Sequence, residues 1–417
     1  MRLRNIVPTL LLYTPLATAA PNSECGLVPE SNPESLASLS ESYTNFALDL
    51  YRQVENTSTN TVLSPYSIST AIGMAYAGAS GTTANEIKET LRLGLEGEEA
   101  QRAIGNLRRD INCRSDVKYA LVTANAIWGQ QGYGFNPEYL QNLDTYYASP
   151  LQVVDFQGAV EESRQKINAW VEERTNDKIK NLIPEGTLSP ATAIVLTNAI
   201  YYKGAWVYPF VELETAERPF ELKSGEKINV PTMTTEASFE YIDNEEVQAI
   251  ELPIIAKEEG PTVDQSFLIV VPKKEGDFGS RFLKEDKIAE IRSKFDVQRI
   301  KLYAPKFKYT STFSLAQTLR DMGMQTAFDA NSADFSAMSL QGEAPIHLSE
   351  VIHKAFIDFN ESGVEAAAAT AITGETTSIP PEPITVEINR PFIFAIIDKT
   401  TNVILFMGQV SDPRVTE

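Results

Sequence analysis

Ala191-Thr192-Ala193-Ile194-Val195-Leu196-Thr197-Asn198-Ala199-Ile200-Tyr201-Tyr202 is a nearly continuous apolar run, rich in β-branched and aromatic residues and without the 3.6-residue spacing of a surface helix. Such a run reads as a strand. Three shorter β-rich runs follow near the C-terminus: Ile384 to Ile388, Phe392 to Ile397 and Val403 to Met407. They are separated by Asn389-Arg390-Pro391 and Asp398-Lys399-Thr400-Thr401, as turns would separate them.

The N-terminal half carries helical spacing instead. Leu39, Tyr43, Phe46, Ala47, Leu50 and Tyr51 share one helical face, and Ile68, Ala71, Ile72 and Ala75 share another. Glu162 to Arg174 places Ile167, Trp170 and Val171 on one side and charges elsewhere, as in a helix lying on an apolar surface. Helices predominate early and strands late, so the fold class is α+β with large antiparallel or mixed sheets. The chain has 417 residues, yet no linker or fixed-period repeat divides it. A single domain over 20–417 is expected.

Residues 1–19 combine Arg2 and Arg4, an apolar stretch from Ile6 to Leu16, and the small residues Ala17-Thr18-Ala19, the three parts of a signal peptide. Cleavage is expected after Ala19, and with it a secreted, extracellular protein. Pro8 and Pro15 interrupt the stretch, and no later segment reaches the run of about 20 apolar residues that a spanning helix needs. Export permits a disulfide between the only two cysteines, Cys25 and Cys113, but their positions leave joined and unjoined forms equally open. Asn56-Thr57-Ser58 and Asn360-Glu361-Ser362 are candidate glycosylation sequons.

The formal charge of −20 becomes −22 once Arg2 and Arg4 are removed with the leader. That field repels polyanions, and Arg108-Arg109 is too small a basic cluster to reverse it. Nucleic acid is not an expected partner. Only two histidines, His347 and His353, could serve a triad or a metal site. Six residues span about 20 Å on a strand and fall on different faces of a helix, so the two do not converge on one ion. Gly78-Ala79-Ser80-Gly81-Thr82 resembles a nucleophile elbow only superficially, because the second glycine follows Ser80 directly and no strand precedes it. A helix exit followed by a new helix over Thr82 to Leu91 accounts for it. No phosphate loop, dinucleotide fingerprint or zinc-type cysteine cluster occurs. No catalytic residue, metal or cofactor is expected, and the protein is expected not to be an enzyme.

Between Phe359 and Ile384 the chain turns small and mostly uncharged, with Ala366-Ala367-Ala368-Ala369 at its centre and Pro380, Pro381 and Pro383 at its end. By composition alone it suits an alanine-rich helix or a plain loop. Its surroundings decide otherwise, since seven segments in order resemble the serpin family. They are Leu63 to Ile68, Thr197 to Trp206, Ala304-Pro305-Lys306-Phe307, Met322-Gly323-Met324 with Ala327-Phe328, Ala333 to Ser336, Val351 to Ala355, and Pro391-Phe392 through Leu405-Phe406-Met407-Gly408. Each is weak alone; together they cover nearly the whole mature chain.

The resemblance implies three β-sheets with eight or nine helices, and an exposed reactive loop over about 361–380 offered to a serine protease as bait. It implies inhibition by suicide: the protease cuts the loop, the freed segment inserts into the main sheet, and the covalently attached protease is trapped. The hinge Glu361, Gly363, Val364, Glu365, Ala366, Ala367, Ala368 and Ala369 matches the inhibitory pattern. Family spacing from Glu361 puts the cut at Thr377-Ser378, with Thr376 and Glu375 as neighbours that could shift it. Thr377 is small and uncharged, which favours an elastase-like or subtilisin-like target. Ser67, Asn198 and His353 would form a buried network where the sheet parts. Trp206 and an exposed Lys306–Glu361 pair would sit where the loop enters. The sequence has no heparin-type basic helix over Thr82 to Arg109, so heparin is not an expected partner, and a monomer is expected. A non-inhibitory serpin, serving as carrier, store or chaperone, is the alternative.

Strand physics bears on the loop separately. Val364, Ala366, Ala368, Thr370 and Ile372 would share one face of an inserted strand and bury no charge, while Glu365 falls on the other face. No proline interrupts Val364 to Thr377.

Overall fold

The computed structural model describes residues 25–55, 59–113, 119–255, 264–273, 287–341, 345–364 and 382–414. Among these lie eight α-helices: α1 Pro33–Val54, α2 Pro65–Tyr76, α3 Gly81–Thr90, α4 Gly97–Asn112, α5 Pro137–Asn142, α6 Val160–Arg174, α7 Lys287–Ser293 and α8 Ala316–Asp321. The strands are β1 Thr61–Leu63, β2 Tyr119–Gln130, β3 Gln152–Val154, β4 Ile194–Trp206, β5 Ala216–Glu221, β6 Lys227–Asp243, β7 Val247–Ile255 and β8 Gln265–Pro272. They continue as β9 Asp296–Pro305, β10 Phe307–Ser314, β11 Leu348–Phe359, β12 Gly363–Val364, β13 Ile384–Glu387, β14 Phe392–Asp398 and β15 Ile404–Val410. The expected α+β class, the early helices and the late strands are all present.

Hydrogen bonds link the strands into one network that falls into three blocks, the three sheets expected. The main block runs β3-β2-β4-β11-β10, with the short β12 lodged between β4 and β11. A second block is β5-β6-β9-β13, and a third is β7-β8-β14-β15-β1. The long β6 belongs to two of them: Thr232 to Tyr241 pair with β9, and Glu240 to Asp243 also pair with β7.

The apolar run that opened the sequence reading is β4, and twelve of its thirteen residues are buried. Both of its faces are covered. On one side a satellite core of Trp128, Phe156, Ile167, Val171, Ile179 and Val195 fills the space under α6. On the other the main core includes Leu196, Ile200 and the buried α2. Every residue of α2 from Pro65 to Ala75 is buried, its serines and Thr70 included, so the helix is enclosed on nearly every side. Its start is fixed by Ser64, whose Oγ accepts from the Ser67 amide at 3.2 Å, and by Pro65 in the first turn.

Cys25 and Cys113 are joined, with their Cα atoms 5.6 Å apart. This settles what the sequence left open, and it fastens the start of the described chain to the end of α4. The superficial elbow is a helix start. Ser80 is extended at the N-cap of α3, Gly81 takes the left-handed φ of +53° that favours glycine, and Ser336 donates to the Ser80 hydroxyl at 3.1 Å. Among the described residues no helix is long and apolar enough to cross a membrane.

Candidate functional site

The site begins where β4 and β11 part. Over most of their length these strands run parallel and pair directly, from Ile194 opposite Leu348 to Tyr201 opposite Phe356. Above that point they diverge, and Gly363 and Val364 occupy the cleft. Val364 pairs with Gly204 on one side and Phe359 on the other, and Gly363 pairs with Ala205. The chain reaches this position through a tight turn: the Asn360 amide donates to the Gly363 carbonyl at 3.0 Å, and the Ser362 amide to Asn360 Oδ1 at 3.1 Å. Val364 is fully buried. Gly204, opposite Val364, leaves room for its neighbours, since a Cβ there would lie 2.6 Å from the Tyr202 hydroxyl and 2.8 Å from Ile254.

Trp206 holds the turn from beneath. Its indole Nε1 donates to the Asn360 carbonyl at 2.9 Å, and its backbone amide to the Ser362 carbonyl at 3.1 Å. Its ring lies edge-on to Phe210, Phe267 and Phe359, at centroid distances of 6.3, 5.8 and 5.2 Å.

Glu361 is tied on three sides. Lys306 Nζ reaches its Oε2 at 2.8 Å, Thr215 Oγ1 donates to its Oε1 at 2.9 Å, and the Phe210 amide donates to its carbonyl at 2.9 Å. Burial pushes this carboxyl up, but the Lys306 ammonium and the other hydrogen bonds outweigh it and leave the group below its ordinary value. The sequence reading of an exposed pair is corrected in one respect: Glu361 is only 9% exposed, so the pair is half-buried and worth more than a solvated one.

Lower in the sheet, one transverse row crosses four strands: Asn125 of β2 faces Asn198 of β4, which faces His353 of β11, which faces Phe313 of β10. Asn198 Nδ2 donates to Ser67 Oγ at 2.6 Å and to Asn125 Oδ1 at 2.5 Å, and Ser67 Oγ donates to Asn125 Oδ1 at 3.0 Å. His353 Nδ1 bonds Asn198 Oδ1, and the Ser64 amide donates to His353 Nε2 at 3.1 Å. A backbone donor at Nε2 fixes the tautomer, with the proton on Nδ1. Burial pushes the imidazole down to about 3, so it is neutral at physiological pH, the Asn198 hydrogen bond opposing that shift only in part. Ser64, Ser67, Asn198 and His353 are fully buried.

The structure therefore brings Ser67, Asn198 and His353 together, and brings Glu361, Gly363, Val364, Trp206 and Lys306 together about the turn. Sequence reasoning missed Asn125, Ser64 and Thr215. Asn125 did carry a signal, a polar residue amid the apolar Ala124, Ala126 and Ile127, whereas a lone threonine such as Thr215 carries none. Asn360 is half-buried, and its Nδ2 donates to Asp358 Oδ1 at 3.2 Å. Glu365, Ala366, Ala367, Ala368, Ala369, Thr377, Ser378, Asn56 and the leader 1–19 lie outside the described residues.

Comparison with known proteins agrees with this geometry. The family model described as "Serpin (serine protease inhibitor)" matches residues 41–413. An uncharacterized serpin-like protein of Thermococcus kodakarensis is 37% identical over 375 residues, covering 89% of this chain and 84% of its own. Leukocyte elastase inhibitor of Xenopus tropicalis is 35% identical over 388 residues, covering 91% of this chain and 100% of its own. Human thyroxine-binding globulin, solved in complex with its ligand, superposes with a TM-score of 0.80 at 28% identity, covering 92% of this chain and 100% of its own. Strands that part about the lodged strand Gly363–Val364, the buried row beneath it and a family match over residues 41–413 lead to one conclusion: the chain belongs to the serpin family.

Proposed function

We propose that this serpin is a secreted inhibitor of serine proteases that acts as a suicide substrate. The observation that carries the reading is the hinge: Gly363 and Val364 already lie as a strand in the cleft between β4 and β11. The residues that follow would bury only uncharged, mostly small side chains on the same face. The protease's serine oxygen attacks the Thr377 carbonyl carbon, the Thr377–Ser378 amide breaks, and the Ser378 nitrogen leaves as an amine after taking a proton. An ester then joins protease and Thr377, and descent of the loop along the cleft separates the ester from the groups that would hydrolyse it. The Cys25–Cys113 disulfide supports export, because such bonds persist in oxidising compartments.

The second reading, a carrier, has the thyroxine-binding neighbour in its favour, since that protein shares the fold. An unobstructed hinge favours the inhibitor. Incubation with elastase, subtilisin, trypsin and chymotrypsin separates the two on denaturing gels. The expected result is a denaturant-resistant band with elastase or subtilisin and a released fragment beginning at Ser378. Loop cleavage by all four enzymes with neither that band nor a rise in thermal stability would refute the trapping mechanism.

A further inference from the structure

The connection between β4 and β5, together with β5 itself, bears directly on both ends of the proposed bait loop. Phe210 and Thr215 bond Glu361, just before it. Arg218 pairs with Glu387 at 3.2 Å, and the Glu221 amide donates to the Asn389 carbonyl at 2.8 Å, just after it. The described chain thus stops just after Glu361 and resumes just before Glu387, both held against this segment.

Its surface is unlike that of an ordinary solvated loop. Leu213 is 98% exposed, Val211 46% and Tyr208 38%, within six residues of one another. Glu212 and Glu214 flank Leu213 in the chain and Glu217 follows at the start of β5, all exposed. The only basic residue of the segment 207–221, Arg218, is engaged by Glu387 and by the Tyr303 ring at 3.7 Å. Single exposed apolar residues need no explanation, but three on one support do.

The support is rigid. The Val211 amide donates to the Thr234 carbonyl at 2.9 Å, the Glu214 amide to Val211 at 2.9 Å, and the Thr215 amide to Glu212 at 3.2 Å. Phe210 is buried against Trp206 and Phe359, and Tyr208 packs edge-on against Phe239 at 5.6 Å. A knob held this way loses little further freedom when it docks, so its burial is converted efficiently into affinity.

We propose that this knuckle is a second docking surface for the target protease as it first engages the uncut loop, with Leu213 entering an apolar recess whose rim carries lysine or arginine opposite Glu212, Glu214 and Glu217. The assignment rests on the inhibitor reading for its partner. It adds a determinant of target choice outside the bait sequence: two proteases that cut equally well after threonine are separated by the charge of their rims.

The test uses subtilisin and elastase whose active-site serine is replaced by alanine, so that binding is measured without cleavage. Wild type, Leu213→Ala and the double variant Glu212→Lys/Glu214→Lys are compared at low and high salt, with thermal melting to confirm that each is folded. At least one of the two proteases should bind Leu213→Ala about tenfold more weakly than wild type. The same protease should bind the double variant more weakly and with a flatter salt dependence. Affinities within twofold of wild type for both variants, or no binding of either protease by wild type, would overturn the assignment. Trapping is read separately with active enzyme. Knuckle-dependent binding without a resistant band would sink the inhibitor reading and leave the docking surface standing.

Discussion

Acid should loosen this protein at His353, and the size of the effect follows from its burial. The imidazole is neutral in the fold and held to about 3, against an ordinary value near 6.5. Its folded value is depressed, so the unfolded chain binds the extra proton first. Stability is complete above about pH 6.5 and is lost progressively as pH falls toward 3. The full gap of about 3.5 units corresponds to about 4.8 kcal/mol, of which about 2 kcal/mol is already gone at pH 5. Other carboxyls titrate in the same range, so the assay must isolate one group. Urea unfolding of wild type and His353→Gln from pH 8 to pH 5 does this. The variant should be less stable at pH 8, because Ser64 and Asn198 lose a fitted partner, and the gap between the two should narrow by about 2 kcal/mol by pH 5. Proton NMR offers a direct check, since the chain has only two histidines. One imidazole should remain untitrated to pH 4. Parallel urea profiles, or two histidines titrating near 6.5, would refute the argument.

The remaining predictions concern the hinge, the row and the disulfide. Val364→Lys places a charge in a fully buried slot and, on the proposed mechanism, should leave the protein cleaved as a substrate without a denaturant-resistant band. Asn125→Ala leaves the Ser67 hydroxyl and Asn198 Nδ2 short of an acceptor and should cost about 1–3 kcal/mol in urea unfolding at neutral pH. Cys25→Ser/Cys113→Ser removes a link across 88 residues and should cost up to about 4–5 kcal/mol on the chain-entropy account, with the melting temperature of wild type, but not of the variant, falling on addition of reductant.

Much of this fold was legible because its signals are local. The continuous apolar run marked β4, the helical stripes marked α1, α2 and α6, and the turn-bounded runs near the C-terminus marked β13, β14 and β15. The site was legible in part, and only through resemblance, because no spacing in the chain shows that residues 67, 198 and 353 meet. Contacts that depend on which strands are neighbours are set by topology. Asn125 enters the row because β2 pairs with β4 in a register that sequence does not print, and the same holds for Thr215 against Glu361. The disulfide was undecidable for a similar reason: 88 residues of intervening chain leave two thiols free to lie anywhere until α4 and the segment before α1 are placed.

The parallel pairing of β4 with β11 carries a consequence for time as well as for shape. A strand descending from the turn at Asn360–Gly363 between two parallel neighbours runs antiparallel to both, so each step trades one slanted ladder for two straighter ones. On the proposed mechanism each step down the cleft then gains pairing, so going on is favoured over going back. On that mechanism the uncut molecule is a clock that runs once: its useful lifetime is set by how long the row from Asn125 to Phe313 keeps two strands together, and not by how deep its energy well lies.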